Sequence, residues 1–143
     1  MIMKSKPDYY YSQSGVIPIR KNDGVVKILL ITSRRRKRWV IPKGIIEEDL
    51  SPSESAEKEA YEEAGIKGIV PGDTIGRYKY NKWGAVCRVE VYLLKVTEEL
   101  NDWPESYFRQ RKWMTIDEAA AHVEEKALKK IIKKVPGHLK LKS

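Results

Sequence analysis

One cysteine, Cys87, is all that this chain has. No disulfide framework can hold such a fold, and a buried thiol in a reducing compartment is expected. Long apolar runs are missing too. None approaches the roughly 18–20 residues that a membrane-spanning helix needs. The stretch before Tyr11 carries Lys4, Lys6 and Asp8 and lacks the apolar core of a secretory signal. Repeats, low-complexity tracts and internal linkers are absent. Together these gaps predict a soluble, cytoplasmic protein without a membrane partner. With 143 residues, 41% hydrophobic and 34% charged, the chain reads as one globular domain over residues 1–143, with room for a real core.

Positive charge, by contrast, is in excess. The formal net charge is +8, which asks for an anionic partner: nucleic acid, an acidic membrane surface or a phosphorylated small molecule. The excess is unevenly placed. Arg34-Arg35-Arg36-Lys37-Arg38 puts five cations in a row. A second group, Lys126, Lys129, Lys130, Lys133, Lys134, Lys140 and Lys142, alternates with Leu128, Ile131, Ile132 and Val135 at helical spacing. That group reads as the solvated face of a helix. The arginine block is denser than a hairpin loop requires.

Apolar, β-branched runs at Ser14–Ile19 and Val25–Thr32 flank Asp23-Gly24, a strong hairpin signal. A short strand, Trp39–Ile41, precedes a loop from Gly44 to Leu50. Ser51-Pro52-Ser53-Glu54 then combines a capping box with proline at the first helical position. Gly65 stands where a left-handed C-terminal residue is wanted. Ala56, Ala60 and Ala64 form a small-residue face suited to packing on a sheet. Strands follow over Ile66–Val70, Asp73–Asn81 and Ala85–Val96, the last with a period of two. After a loop from Thr97 to Tyr107, Arg109–Met114 reads as an edge strand. Thr115-Ile116-Asp117-Glu118 caps a helical region of one or two helices meeting near His122 to Glu125. The order predicts an α/β sandwich.

Three carboxylates stand out on the capped helix. Glu59, Glu62 and Glu63 lie at i, i+3 and i+4 and would share one narrow patch. Like charges at that spacing destabilise a helix by a few tenths of a kcal/mol per pair (roughly), and anions are disfavoured near its C-terminus. A hard divalent cation removes that conflict. Magnesium takes oxygen ligands and is commonly shared between carboxylates and substrate phosphates. The bland alternative is a solvated acidic pair, Glu62-Glu63.

Gly44 to Ile66 resembles the Nudix box, whose pattern is Gly, five residues, Glu, seven residues, then Arg-Glu-apolar-x-Glu-Glu-x-Gly-apolar. Here the second half reads Lys58-Glu59-Ala60-Tyr61-Glu62-Glu63-Ala64-Gly65-Ile66, at the family spacing from Gly44. The resemblance implies an α/β/α sandwich with a mixed central sheet and a loop-helix-loop catalytic motif. It also implies a magnesium-dependent diphosphate hydrolase, with manganese as the alternative ion. By resemblance, Glu59 and Glu63 are metal ligands, Glu62 is a further ligand or the general base, and the Gly44 carbonyl completes the site. Two positions depart from the pattern. The family arginine is Lys58, and the family's first glutamate falls at Leu50, with Glu47, Glu48 and Asp49 just before it. The base is thereby left open among Glu62, Glu63 and a loop glutamate such as Glu105.

Ser33-Arg34-Arg35 and Trp39-Val40-Ile41-Pro42-Lys43-Gly44 resemble the entry to the box in diphosphoinositol polyphosphate and diadenosine polyphosphate hydrolases. Arg111-Lys112-Trp113-Met114-Thr115-Ile116-Asp117-Glu118-Ala119 resembles a segment near their C-terminus. The resemblance implies a small-molecule polyphosphate substrate. Arg34, Arg35, Arg36, Arg38 and Lys43 would bind its phosphates, since arginine forks match phosphate oxygens in pairs. Trp39 and Trp113 read as core packing, with base stacking the alternative. Two other functions remain: a nucleic-acid-binding protein acting on RNA 5′ ends, and a non-catalytic nucleotide sensor, which Leu50 alone supports. Monomer and homodimer both fit.

Overall fold

The computed structural model describes residues 11–35, 37–82 and 84–141. Arg36 and Lys142 therefore lie outside the described residues. Eight strands are described: β1 Tyr11–Asn22, β2 Val25–Thr32, β3 Trp39–Val40, β4 Lys43–Ile45, β5 Ile66–Ile69, β6 Gly76–Lys82, β7 Ala85–Glu99 and β8 Arg111–Thr115. Helices are α1 Pro52–Glu59, α2 Ile116–His122, α3 Lys126–Lys133 and α4 Val135–Leu141. A π-helical turn, Ala60–Ala64, prolongs α1.

The strands form one mixed sheet in the order β3-β2-β1-β7-β5, with β4 on β1, β6 on β7 and β8 on β2. Among the described strands only β1 and β7 run parallel, from Tyr11 opposite Cys87 to Ile19 opposite Lys95. Their central position explains why Gln13 to Ile19 are buried without a break, since both faces are covered. Asp23 and Gly24 both take positive φ (51° and 80°), the turn that closes a two-residue hairpin between β1 and β2.

Each sheet face carries its own core. Ile17, Leu30, Val89, Val91 and Leu93 pack beneath α2 and α3 through Ala119, Leu128 and Ile132. On the other face, Val16, Leu29, Ile31 and Leu94 meet Ala56, Ala60 and Ala64 of α1 and its π turn. The small-residue face thus does what its spacing predicts, and the layers are helix, sheet, helix.

Two features depart from the expectation. The C-terminal region holds three helices rather than two, because α3 ends at Lys134 and α4 begins at Val135, with Pro136 in its first turn, where proline is tolerated. The loop expected from Gly44 to Leu50 starts inside strand β4, whose Lys43 and Gly44 pair with Gly15 and Ser14. That pairing demands glycine at position 15. A β-carbon there would sit 2.6 Å from the Pro42 carbonyl oxygen and 2.7 Å from Lys43 Cβ. Gly15→Ala is therefore expected to cost about 1–3 kcal/mol, read as a lower urea midpoint with unchanged slope.

Candidate functional site

Why the carboxylates meet begins with the helix that carries them. Ser51 Oγ accepts from the Glu54 N–H at 3.1 Å, and Glu54 returns a bond to the Ser51 N–H at 2.9 Å. At the far end Gly65 takes φ 67°. Arg111 on β8 covers that end, its Nη1 donating to the Ala64 carbonyl at 2.8 Å and its Nη2 to Leu100 at 2.5 Å. Its guanidinium lies 3.9 Å from the Trp103 ring, and Trp103 Nε1 donates to the Glu63 carbonyl at 3.0 Å. The last carbonyls of the helix are thus satisfied by side chains and by the loop that follows β7.

The π turn sorts the three glutamates. A wider turn keeps position i+4 above position i but swings i+3 aside. Glu59 and Glu63 accordingly share a hydrogen bond, whereas Glu62 acts on Glu59 only through its charge. Among the described residues, no three acidic, histidine or cysteine side chains converge as a ready-made metal cage. Glu59 lies against the α-carbon of Gly44, where any β-carbon would overlap its carboxylate. The glycine of β4 and the glutamate of α1 are therefore fitted to one another.

Electrostatics within this cluster are unfavourable to charge. Burial first, then the charge and hydrogen bond of Glu63, then Glu62 and Glu105, push the Glu59 carboxyl up to about 8. Burial also raises Glu63, opposed by Arg109, by the Lys43 N–H and by the Lys43 charge. That N–H donates to Glu63 Oε1 at 3.2 Å. Arg109 joins two elements: its Nη2 lies 3.8 Å from Glu63 Oε2, and its Nε 2.7 Å from Glu105 Oε1. The Arg109 Nη1 also donates to the Thr32 carbonyl at 2.8 Å.

These details test the donor set for a divalent cation. Buried Glu63 and half-buried Glu59 lie together beside the Gly44 backbone and are both pushed toward the neutral form, with a third glutamate close by and a fourth, Glu105, on the facing loop. Hard oxygen donors that lack enough positive charge suit magnesium or manganese.

The two departures from the box also find a place. Lys58 Nζ pairs with Glu47 Oε2 at 2.7 Å, and the Glu47 N–H donates to Ser55 Oγ at 3.0 Å. Glu47 thus ties the loop to α1, and Leu50 leaves no charge unpaired.

The basic residues divide. Arg34 and Arg35 are exposed on the turn between β2 and β3, with Arg34 4.7 Å from the Phe108 ring. Arg38 is instead held by Glu125 at 2.6 Å and Glu124 at 3.4 Å, fastening the turn to the junction of α2 and α3. Lys43 Nζ lies 5.2 Å from the Tyr80 ring, and burial pulls its ammonium below the usual lysine range. Trp39 packs against the α2–α3 core, and Trp113 against the α1 core beneath Arg20 at 4.2 Å. Sequence reasoning missed Arg109 and the capping roles of Arg111 and Trp103, since each acts across elements far apart in the chain. Two surface depressions, one at Arg20, Lys95 and Leu139 and one at Val25, Thr115 and Pro136, hold none of these carboxylates.

A pH signature follows. Without divalent cations, the folded chain binds a proton at Glu59 that the unfolded chain releases near pH 4.5, so stability should fall as pH rises from about 4.5 to about 8. Thermal unfolding in chelator should show this slope in the parent and a flatter one in Glu59→Gln, whose amide imitates the protonated acid. Parallel slopes would show that Glu59 is not the proton's holder.

Comparison with known proteins agrees with the fold and the family. The family model described as NUDIX domain matches residues 12–135. "Nudix hydrolase 12, mitochondrial" of Arabidopsis thaliana is 37% identical over 122 residues, 80% of this chain and 58% of its own length. The chain thus spans little more than half of that relative. Human "Diphosphoinositol polyphosphate phosphohydrolase 3-alpha" is 33% identical over 115 residues, 79% of this chain and 69% of its own. Among solved structures, C. elegans Ap4A hydrolase superposes with a TM-score of 0.78, covering 90% of this chain and 97% of that one. At 20% identity, that likeness bears on the fold. With the box, the sheet and the family model all in agreement over the same residues, this chain belongs to the NUDIX domain family.

Proposed function

We propose that the chain hydrolyses a diphosphate linkage in a highly phosphorylated small molecule, either a diadenosine polyphosphate or a diphosphoinositol polyphosphate, with magnesium or manganese as cofactor. The observation that carries this reading is the Glu59–Glu63 pair, two carboxylates brought together at the Lys43–Gly44 backbone, where burial pushes both toward the neutral form. In this reading Glu59, Glu63 and the Gly44 carbonyl hold the metal, with Glu62 at its margin. The chemistry a divalent cation supplies when bound is polarisation of the diphosphate and neutralisation of charge on the leaving phosphate.

The chain's own side chains do the rest. Arg34 and Arg35 offer forked donors to the outer phosphates, and Lys43 stands beside the carboxylates for the inner ones. Arg38 contributes by holding the turn in place through Glu124 and Glu125. Glu63 is already committed to Glu59, Arg109 and the Lys43 N–H, and Glu105 to Arg109, so proton removal from water falls first to Glu62. Arg109 keeps Glu105 aimed at the same space. Human and worm proteins similar to this one carry names that refer to diphosphoinositol polyphosphate and to Ap4A, which supports the substrate class. Buried and unpaired, Cys87 suits a reducing compartment such as the cytoplasm.

Glu62→Gln and Glu63→Gln should each remain folded and lose orders of magnitude in kcat on these substrates with magnesium present. Near-parental rates in both would remove the carboxylates from the chemistry. A panel that includes 5′-triphosphorylated RNA, analysed in ¹⁸O-water, should show the label on the phosphoryl group of one of the two products from the small molecules. Turnover of the RNA alone would favour the nucleic-acid reading.

A further inference from the structure

The loop that carries Glu105 also carries an aromatic pair for which the diphosphate chemistry has no use. Tyr107 is 82% exposed. Its only ring partner among the described residues is Phe108, met edge-on at 4.8 Å and 72°. Phe108 is flanked in turn by two guanidinium groups, Arg34 at 4.7 Å and Arg109 at 5.1 Å. Arg109 is the side chain that reaches Glu63 and Glu105, and Arg34 is the exposed head of the basic turn. The pair is thus joined to the carboxylates on one side and to the phosphate-binding turn on the other.

The loop is also held in shape. Ser106 N–H donates to the Trp103 carbonyl at 3.0 Å, and the Phe108 and Arg109 N–H groups donate to the Glu105 carbonyl at 3.2 and 3.1 Å. Ser106 Oγ donates to Asp102 at 3.0 Å, and the Glu105 N–H donates to the Glu62 carbonyl at 3.1 Å. Such a loop does not need an exposed tyrosine to keep its form. The aromatic faces are therefore presented at a fixed position beside the site, with cations between them and the carboxylates.

We propose that Tyr107, braced edge-on by Phe108, is a stacking platform for a nucleobase, and that the preferred substrate carries a nucleoside beyond its phosphates. Aromatic side chains stack on any base through its π face, whereas a phosphorylated inositol ring has no such face to offer. Arg34 would then read the phosphate next to the nucleoside, since its flat guanidinium can lie on Phe108 and still donate at its edge. This proposal rests on the reading of the carboxylates as a diphosphate hydrolase site and narrows it to dinucleoside polyphosphates.

The test compares two polyanionic ligands, one with a base and one without, each read as the variant-to-parent ratio. Binding of a methylene-bridged diadenosine tetraphosphate analogue and of inositol hexakisphosphate is measured by calorimetry with magnesium present. Tyr107→Ala should weaken the diadenosine analogue by about fivefold or more relative to its effect on the inositol ligand. Tyr107→Trp should restore the parental ratio. Equal weakening of both ligands, or no change in either, overturns the platform. Hydrolysis is assayed separately on the parent protein. A parent that binds the analogue but cleaves no diphosphate ends the hydrolase reading, while the platform still stands or falls on the binding ratio.

Discussion

Two glutamates on one helix face, pressed together against a backbone glycine, are the constraint around which this structure is arranged. Glu59 and Glu63 cannot both be ionised cheaply in that position, because burial and mutual repulsion act in the same direction. The surrounding chain nevertheless spends much of its organisation on keeping them there. The capping box fixes the start of α1, and the alanine face presses the helix flat on the sheet. Gly65, Arg111 and Trp103 close its far end. Gly15 lets β4 approach β1 so that Gly44 can lie under Glu59. A helix selected for stability alone would have placed the charges outward.

Positive groups set around the pair show how the strain is contained. Arg109 spans Glu63 and Glu105, which lie on different elements, and its third contact reaches the end of β2. Lys43 adds both a backbone donor and a charge. Further out, Lys58, at the position of the box arginine, forms an ion pair with Glu47, three residues before Leu50. Being largely exposed, that pair adds little stability by itself. What it does is join the loop before α1 to the residue next to Glu59, and so Leu50 costs the site no counter-charge.

Much of this was legible in the residues. Local signals were sound wherever the determinant was local: Asp23-Gly24 for the hairpin, Ser51 and Thr115 for the caps, and Gly65 for the stop. The sandwich and its small-residue face followed from periodicity. Less legible was anything set by contact between distant segments. The π turn that separates Glu62 from its neighbours has no sequence signature, so by spacing alone Glu62 and Glu63 both stack on Glu59, and only the family resemblance set Glu62 apart. Arg109 and Arg38 read as cations like the others around them, and only the fold shows both to be ion-paired. The strand at Lys43 to Ile45 is too short to show a period and exists through its pairing with β1.

The central claim is that the proton held at Glu59, beside Glu63, occupies the place of a divalent cation. Its most direct test is the number of protons released when magnesium binds, measured by calorimetry in buffers of different ionisation enthalpy. Because Glu59 is held near 8, about one proton should leave per ion bound at pH 7, falling toward zero above pH 9. Binding with no proton release at pH 7, or with release unchanged in Glu59→Gln, would contradict it.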